Sequence, residues 1–154
     1  MIYLLTGVVR SGKTTRLLEW SKNRRDVAGI LTPDRRQRRV LLDVRTGSEH
    51  PFQVQSKAES VISIGRFTFS ARTFEIGRAI LKREREADCR WLIIDEIGPL
   101  ELRGKGFEPE VEATIRFFKN HAPQRNLILV IRDTLKDAAL KHYGLTDPVI
   151  FNFP

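Results

Sequence analysis

The run Gly7-Val8-Val9-Arg10-Ser11-Gly12-Lys13-Thr14-Thr15 fits the spacing G-x-x-x-x-G-K-[ST]. That combination of residue types suits a chain of phosphates. Successive backbone N–H groups can point inward at phosphate oxygens only if the backbone curls tightly, and Gly7 and Gly12 allow the curl while leaving no Cβ in the way. A helix that follows adds its unpaired N–H groups and the positive end of its dipole. Lys13 reaches the β- and γ-phosphates, and Thr14 offers a hydroxyl to Mg²⁺. The whole loop, Gly7 through Thr15, is the candidate nucleotide-binding segment.

A second group of reactive residues lies far along the chain. Trp91-Leu92-Ile93-Ile94 is a continuous apolar run that ends in Asp95-Glu96. In an open α/β sheet, ligands bind at the carboxyl edge of the strands. A buried strand here would carry Asp95 to that edge beside the phosphate loop, where it can hold Mg²⁺ directly or through water. Consecutive side chains on a strand diverge, so Glu96 can face the γ-phosphate and activate water. An exposed strand end is the plain alternative for this pair. Mg²⁺ suits the donor set, because it prefers oxygen and keeps several waters. His50, His121 and His142 are scattered and read as surface or packing residues.

Hydrolysis builds negative charge, and an added arginine can speed it by about 10³–10⁵-fold. Arg10 lies inside the loop, and Arg132 follows the strongest late strand. The candidate catalytic residues are therefore Glu96, Lys13, Arg10 and Arg132, with Thr14 and Asp95 as metal ligands. A surface salt bridge is the competing reading for each arginine.

Positioning these residues requires alternating strands and helices. Ile2 to Thr6 reads as the strand before the loop, and Lys13 to Asn23 as the helix after it. Val27 to Thr32 is a buried strand stopped by Pro33. Residues 27–70 read as a β-rich excursion, with strands at Val40–Val44, Phe52–Gln55, Val61–Ile64 and Phe67–Phe69. A helix opens near Ser70–Glu75, with Thr73 or Ser70 as its cap. Its end, Lys82-Arg83-Glu84-Arg85-Glu86, reads as charged and exposed. A helix over Glu108–Asn120, a core strand over Asn126–Ile131, a helix over Asp133–Tyr143 and an edge strand near Pro148–Asn152 complete the pattern. The expectation is an α/β phosphate-loop domain over residues 1–154, with a mostly parallel sheet flanked by helices.

Composition narrows the class. The 154 residues carry 27 Lys+Arg against 19 Asp+Glu, a formal charge of +8. That balance favours anionic partners. With one cysteine, Cys89, the chain cannot build an internal disulfide or a Cys-based zinc site, which suits a reducing compartment. No apolar run approaches the ~20 residues of a membrane span. The N-terminal apolar run lacks a basic n-region and leads into the phosphate loop, so it reads as a strand rather than a signal peptide. The expected location is cytoplasmic, with no membrane partner.

The loop at Gly7–Thr15, Ala28-Gly29-Ile30-Leu31-Thr32, and Asp95-Glu96-Ile97-Gly98-Pro99-Leu100-Glu101-Leu102 together resemble the THEP-type nucleoside triphosphatases. The order of elements matches over nearly the whole chain. The phosphate loop is generic; the Asp95–Leu102 string is the specific part, although Leu100 stands where the family has methionine. The resemblance implies a RecA-like fold and Mg²⁺-dependent hydrolysis of nucleoside triphosphates with broad base preference. It implies that Lys13 and Thr14 bind phosphate and metal, that Asp95 supports Mg²⁺, and that Glu96 activates water. Glu101 matches the family's second acidic position, with bracing of the following loop as its expected role. One departure bears on substrate preference: Pro33-Asp34 and the basic run Arg35-Arg36-Gln37-Arg38-Arg39 replace the family's acidic pair and Gly-containing hairpin.

The basic run reads first as a solvated hairpin tip, then as a nucleotide lid, then as a nucleic-acid contact. Few aromatics lie among its arginines, so base stacking is not signalled. Two rival functions share the phosphate loop. A small-molecule or nucleoside kinase would need an acceptor segment, and none stands out. A slow nucleotide-dependent adaptor would turn over under the control of a partner or nucleic acid; the guanine-specifying Asn-Lys-x-Asp pattern is absent.

Overall fold

The computed structural model describes residues 1–8, 11–55 and 60–154. Val9 and Arg10, two of the loop residues singled out above, lie outside the described residues. The strands are β1 (Ile2–Gly7), β2 (Val27–Leu31), β3 (Asp34–Arg35), β4 (Arg38–Asp43), β5 (Glu49–Pro51), β6 (Val61–Ile64), β7 (Phe67–Ser70), β8 (Trp91–Ile97), β9 (Asn126–Arg132) and β10 (Val149–Ile150). The helices are α1 (Lys13–Ser21), α2 (Ala71–Glu86), α3 (Pro99–Leu102), α4 (Glu110–His121) and α5 (Lys136–His142), with a 3₁₀ turn at Asp133–Leu135.

The main sheet runs β10-β1-β9-β8-β2-β4-β3, with β5 paired to β4. The strands β10, β1, β9, β8 and β2 are mutually parallel. β4 is antiparallel to β2. This polarity matters: β4 begins at the edge where the parallel strands end, so the β3–β4 hairpin extends the sheet over the carboxyl edge.

The apolar strands are buried on both faces, as parallel strands between helices must be. Leu92 and Ile94 face one core with Phe74, Leu81, Val111 and Ile115 from α2 and α4. Ile93 faces the other, with Leu17 of α1 and Phe151. The period of two along a strand makes this division. Trp20, Trp91 and Tyr3 cluster with Phe151 at the second face, where Trp20 meets Trp91 edge-on at 5.3 Å.

Several expectations needed adjustment. α1 ends at Ser21, not Asn23, because the backbone leaves the helical region at Lys22, ψ 132°, and turns left-handed at Asn23, φ 63°. Phe52–Gln55 is not a strand; Phe52 turns inward to stack edge-on against Phe74 and packs against Phe69 and Phe107. Ser70, the better placed of the two cap candidates, does cap α2, accepting from Thr73 N. The end of α2 is not wholly exposed: Glu84 is fully buried, because Arg45 and Arg83 converge on it.

Candidate active site

β1 delivers Gly7 to the carboxyl edge, and α1 starts six residues later at Lys13. Gly12 is the N-cap, with φ 83°, a conformation that costs glycine nothing and other residues 1–2 kcal/mol or so. It supplies no side-chain acceptor, so the first-turn N–H groups of α1 remain available to an anion. A Cβ on Gly7 would stand 2.8 Å from the Ser11 hydroxyl, which is why the tight return needs glycine there. Lys13 folds over this curl: its ammonium donates to Gly7 O at 3.1 Å, Val8 O at 2.9 Å and Ser11 Oγ at 3.3 Å. Ser11 and Thr15 are exposed at the mouth of the loop.

The second motif arrives on β8. Asp95 is 1% exposed. Its Oδ2 accepts from the Thr14 hydroxyl at 2.8 Å and from Thr32 N at 3.2 Å. The contact joins residues 81 positions apart, and it brings the phosphate loop, the end of β8 and the end of β2 to one point. Burial drives the Asp95 carboxyl up to about 6, and the neighbouring Glu96 charge adds to this, while the bonds from Thr14 and Thr32 oppose it. Thr32 Oγ1 is buried with no partner among the described residues. A buried carboxylate, a hydroxyl and an orphaned oxygen form a hard-oxygen set that fits Mg²⁺, the remaining positions falling to phosphate and water.

Glu96 is displaced from the regular ladder. The β8–β9 register shifts between Asp95 and Ile97, a bulge that re-aims a side chain. Its Oε1 accepts from Arg39 Nη1 at 3.3 Å and lies 3.5 Å from Arg132 Nη2. Arg132 ends β9 directly opposite Gly7 in the sheet register, so it stands between the loop and Glu96. Its Nε is buried without a partner among the described residues.

Glu101 sits just beyond. It is 4% exposed, and it accepts from Gly98 N at 2.8 Å and Phe107 N at 3.0 Å. It ties the start of the 98–107 loop to its end, the bracing role expected of it. Burial holds its carboxyl up at about 7, against the pull of the Phe107 and Gly98 N–H groups.

The structure thus brings together Lys13, Thr14, Asp95, Glu96 and Arg132. Sequence reasoning missed Thr32 as a partner of Asp95, and it did not single out Arg39 within the basic run. The solvated-tip reading suits Arg35, Arg36, Gln37 and Arg38, which are exposed. Arg39 differs because it lies in β4 just past the end of β2, from where its side chain reaches Glu96 at the end of β8. The only prior signal was the basic run's position just after β2. A cleft of about 760 Å³ lies elsewhere, between the end of α1 and the β4–β5 turn, and none of the predicted site residues lines it. No described helix is long and apolar enough to cross a membrane.

Comparison with known proteins shows what the chain is similar to. Residues 2–151 match the family model described as NTPase. A relative, nucleoside-triphosphatase THEP1 of Pyrobaculum islandicum, is 26% identical over 116 residues, covering 72% of this chain. The matched region spans 64% of that relative's length. The crystal structure of THEP1 from the hyperthermophile Aquifex aeolicus superposes with a TM-score of 0.70 at 25% identity, covering 99% of this chain and 89% of that one. With its sheet order, its phosphate loop and a family match running almost end to end, the chain belongs to the NTPase family.

Proposed function

We propose that the protein hydrolyses nucleoside triphosphates, ATP and GTP among them, to the diphosphate and phosphate with Mg²⁺. The observation that carries the reading is the 2.8 Å contact between Thr14 and Asp95, which unites the two motifs beside Glu96. The loop N–H groups and the start of α1 bind the phosphate chain. Lys13 exchanges its contacts with Gly7, Val8 and Ser11 for the β- and γ-phosphate oxygens. Thr14 and Asp95 would hold Mg²⁺, which neutralises phosphate charge and orients the chain for attack.

Glu96 is the base. It takes a proton from a water aligned with the γ-phosphorus; the water oxygen bonds to phosphorus as the bond to the bridging oxygen breaks, and that electron pair leaves with the diphosphate. Arg132 approaches Glu96, and its Nε, without a partner among the described residues, is proposed as a donor for charge that develops on the γ-phosphate. Arg10 is proposed as a further donor from within the loop.

The test is phosphate release from ATP, GTP, CTP and UTP with Mg²⁺, comparing wild type with Glu96→Gln. General-base assistance is worth about 10²–10⁴-fold, so the variant should lose that much turnover and still bind nucleotide. Transfer of a labelled γ-phosphate to an acceptor, in place of free phosphate, would replace hydrolase with kinase. Wild type that binds nucleotide and turns over only with a partner or nucleic acid would indicate the adaptor.

A further inference from the structure

Arg39 has no part in either nucleotide motif, yet its side chain reaches Glu96. We propose that Arg39 is a positioning residue for hydrolysis: together with Arg132 it holds Oε1 of Glu96, so that Oε2 faces the attacking water. The inference rests on the hydrolase reading above and adds to it the β3–β4 hairpin as a working part of the site.

Three observations carry it. The first is convergence. Arg39 Nη1 at 3.3 Å and Arg132 Nη2 at 3.5 Å approach the same carboxylate oxygen, and Oε2 has no partner among the described residues. One oxygen is anchored and the other is open to accept a proton. The second is mounting. Arg39 is not on the exposed tip. Its N–H donates to Gln53 Oε1 at 3.3 Å, and its carbonyl accepts from Gln53 N at 3.0 Å and Phe52 N at 3.3 Å. Next to it, Val40 N donates to Pro33 O at 3.0 Å. The backbone that carries the guanidinium is fixed on both sides, as a positioning group requires. The third is topology. β4 runs antiparallel to β2, so its first residues necessarily overhang the carboxyl edge where Asp95 and Thr32 meet.

A carboxylate on a bulge has rotational freedom that catalysis cannot use, and a misplacement of about 1 Å can cost on the order of 10²-fold in rate. The pair is partly shielded, with the Arg39 and Glu96 side chains 32% and 21% exposed. Arg39 reaches Glu96 through Nη1 alone, and a lysine ammonium would present its charge without the planar guanidinium. The chemistry is unchanged: the proton of water passes to Oε2, and Arg39 neither gains nor loses one.

The experiment measures kcat and nucleotide Kd for wild type, Arg39→Ala, Arg39→Lys, Glu96→Gln and Arg38→Ala. The expected result is a fall in kcat of about 10²-fold for Arg39→Ala, with Kd within about threefold of wild type. Arg39→Lys should fall by roughly tenfold, and Arg38→Ala, on the exposed neighbour, should match wild type. Added guanidinium ion at millimolar concentration should restore part of the Arg39→Ala rate and none of the Glu96→Gln rate, which a merely structural role would not produce. Wild-type kcat in Arg39→Ala or Arg39→Lys, or a loss confined to Kd, overturns the proposal. Wild type that binds nucleotide but releases no phosphate overturns the hydrolase reading itself; an active wild type, an inactive Glu96→Gln and a fully active Arg39→Ala remove Arg39 alone.

Discussion

Glu84 and Asp95 are both buried carboxylates, 0% and 1% exposed, and their surroundings could hardly differ more. Glu84 receives Arg45 through Nε and Nη2 at 2.6–2.9 Å and Arg83 Nε at 2.6 Å. Arg83 also grips Asp43 with Nη2 at 2.9 and 3.0 Å. Arg125 closes the same region by donating to the carbonyls of Glu84, Arg85 and Cys89. Asp95 has one hydroxyl and one backbone N–H. Burial pushes both carboxyls up; at Glu84 the arginine bonds outweigh it and the net shift is down, whereas Asp95 ends near 6. The first cluster is complete within the protein. In the second no arginine bonds the Asp95 carboxyl among the described residues, and Thr32 Oγ1 and Arg132 Nε are buried there without a partner among them. Buried polar groups are normally satisfied, so the incomplete cluster is where a ligand belongs.

Removing Lys13 should break the incomplete side. Lys13→Ala deletes the cationic donor proposed for the transferring phosphate, and losses of about 10²–10³-fold, roughly 3–4 kcal/mol, are typical for one such donor. Steady-state phosphate release should show it, with little change in the unfolding midpoint, because among the described residues the ammonium bonds only to its own loop.

The complete side should respond in stability instead. Glu84→Ala leaves two guanidiniums without their shared acceptor. Breaking a buried pair costs about 3–5 kcal/mol, and the low end of about 3 applies here, since Arg45 and Arg83 are 35% and 44% exposed and can turn to water. Denaturant unfolding would read this directly.

Glu101 offers a finer comparison, because it borders the site yet is satisfied by two N–H groups. Its folded carboxyl titrates at about 7, above the ordinary 4.5. The folded state therefore holds the proton more tightly than the unfolded chain. The stability this group contributes is full below about 4.5 and is lost as pH rises through about 7. The unfolding free energy of wild type relative to Glu101→Gln should accordingly decline from pH 5 to pH 8. A difference that is flat, or that grows with pH, would contradict the assignment.

The contrast also explains what could be read from the chain. Gly7 to Thr15 and Trp91 to Glu96 are local patterns, each with its chemistry and its strand written in consecutive residues, so their positions followed from the pattern. The strand Asn126–Ile131 was equally legible, and Arg132 with it. Glu84 was not. It lies in a run of alternating charges that looks solvated, and its burial depends on Arg45, 39 positions away. Arg39 was hidden for the same reason: the pair with Glu96 spans 57 positions, and only the antiparallel course of β4 creates it. Thr32 reads simply as the end of a strand until β2 and β8 are set side by side. Boundaries drifted where a single residue turned out of pattern, as at Asn23 and Phe52.

The most direct test pairs Glu96→Gln with Glu84→Ala and measures phosphate release per folded molecule alongside unfolding free energy. The incomplete edge being the working site predicts a Glu96 variant that is folded as well as wild type and at least about 10²-fold slower, and a Glu84 variant about 3 kcal/mol less stable that turns over normally while folded. A slow but fully stable Glu84 variant, or a Glu96 variant with wild-type turnover, would contradict it.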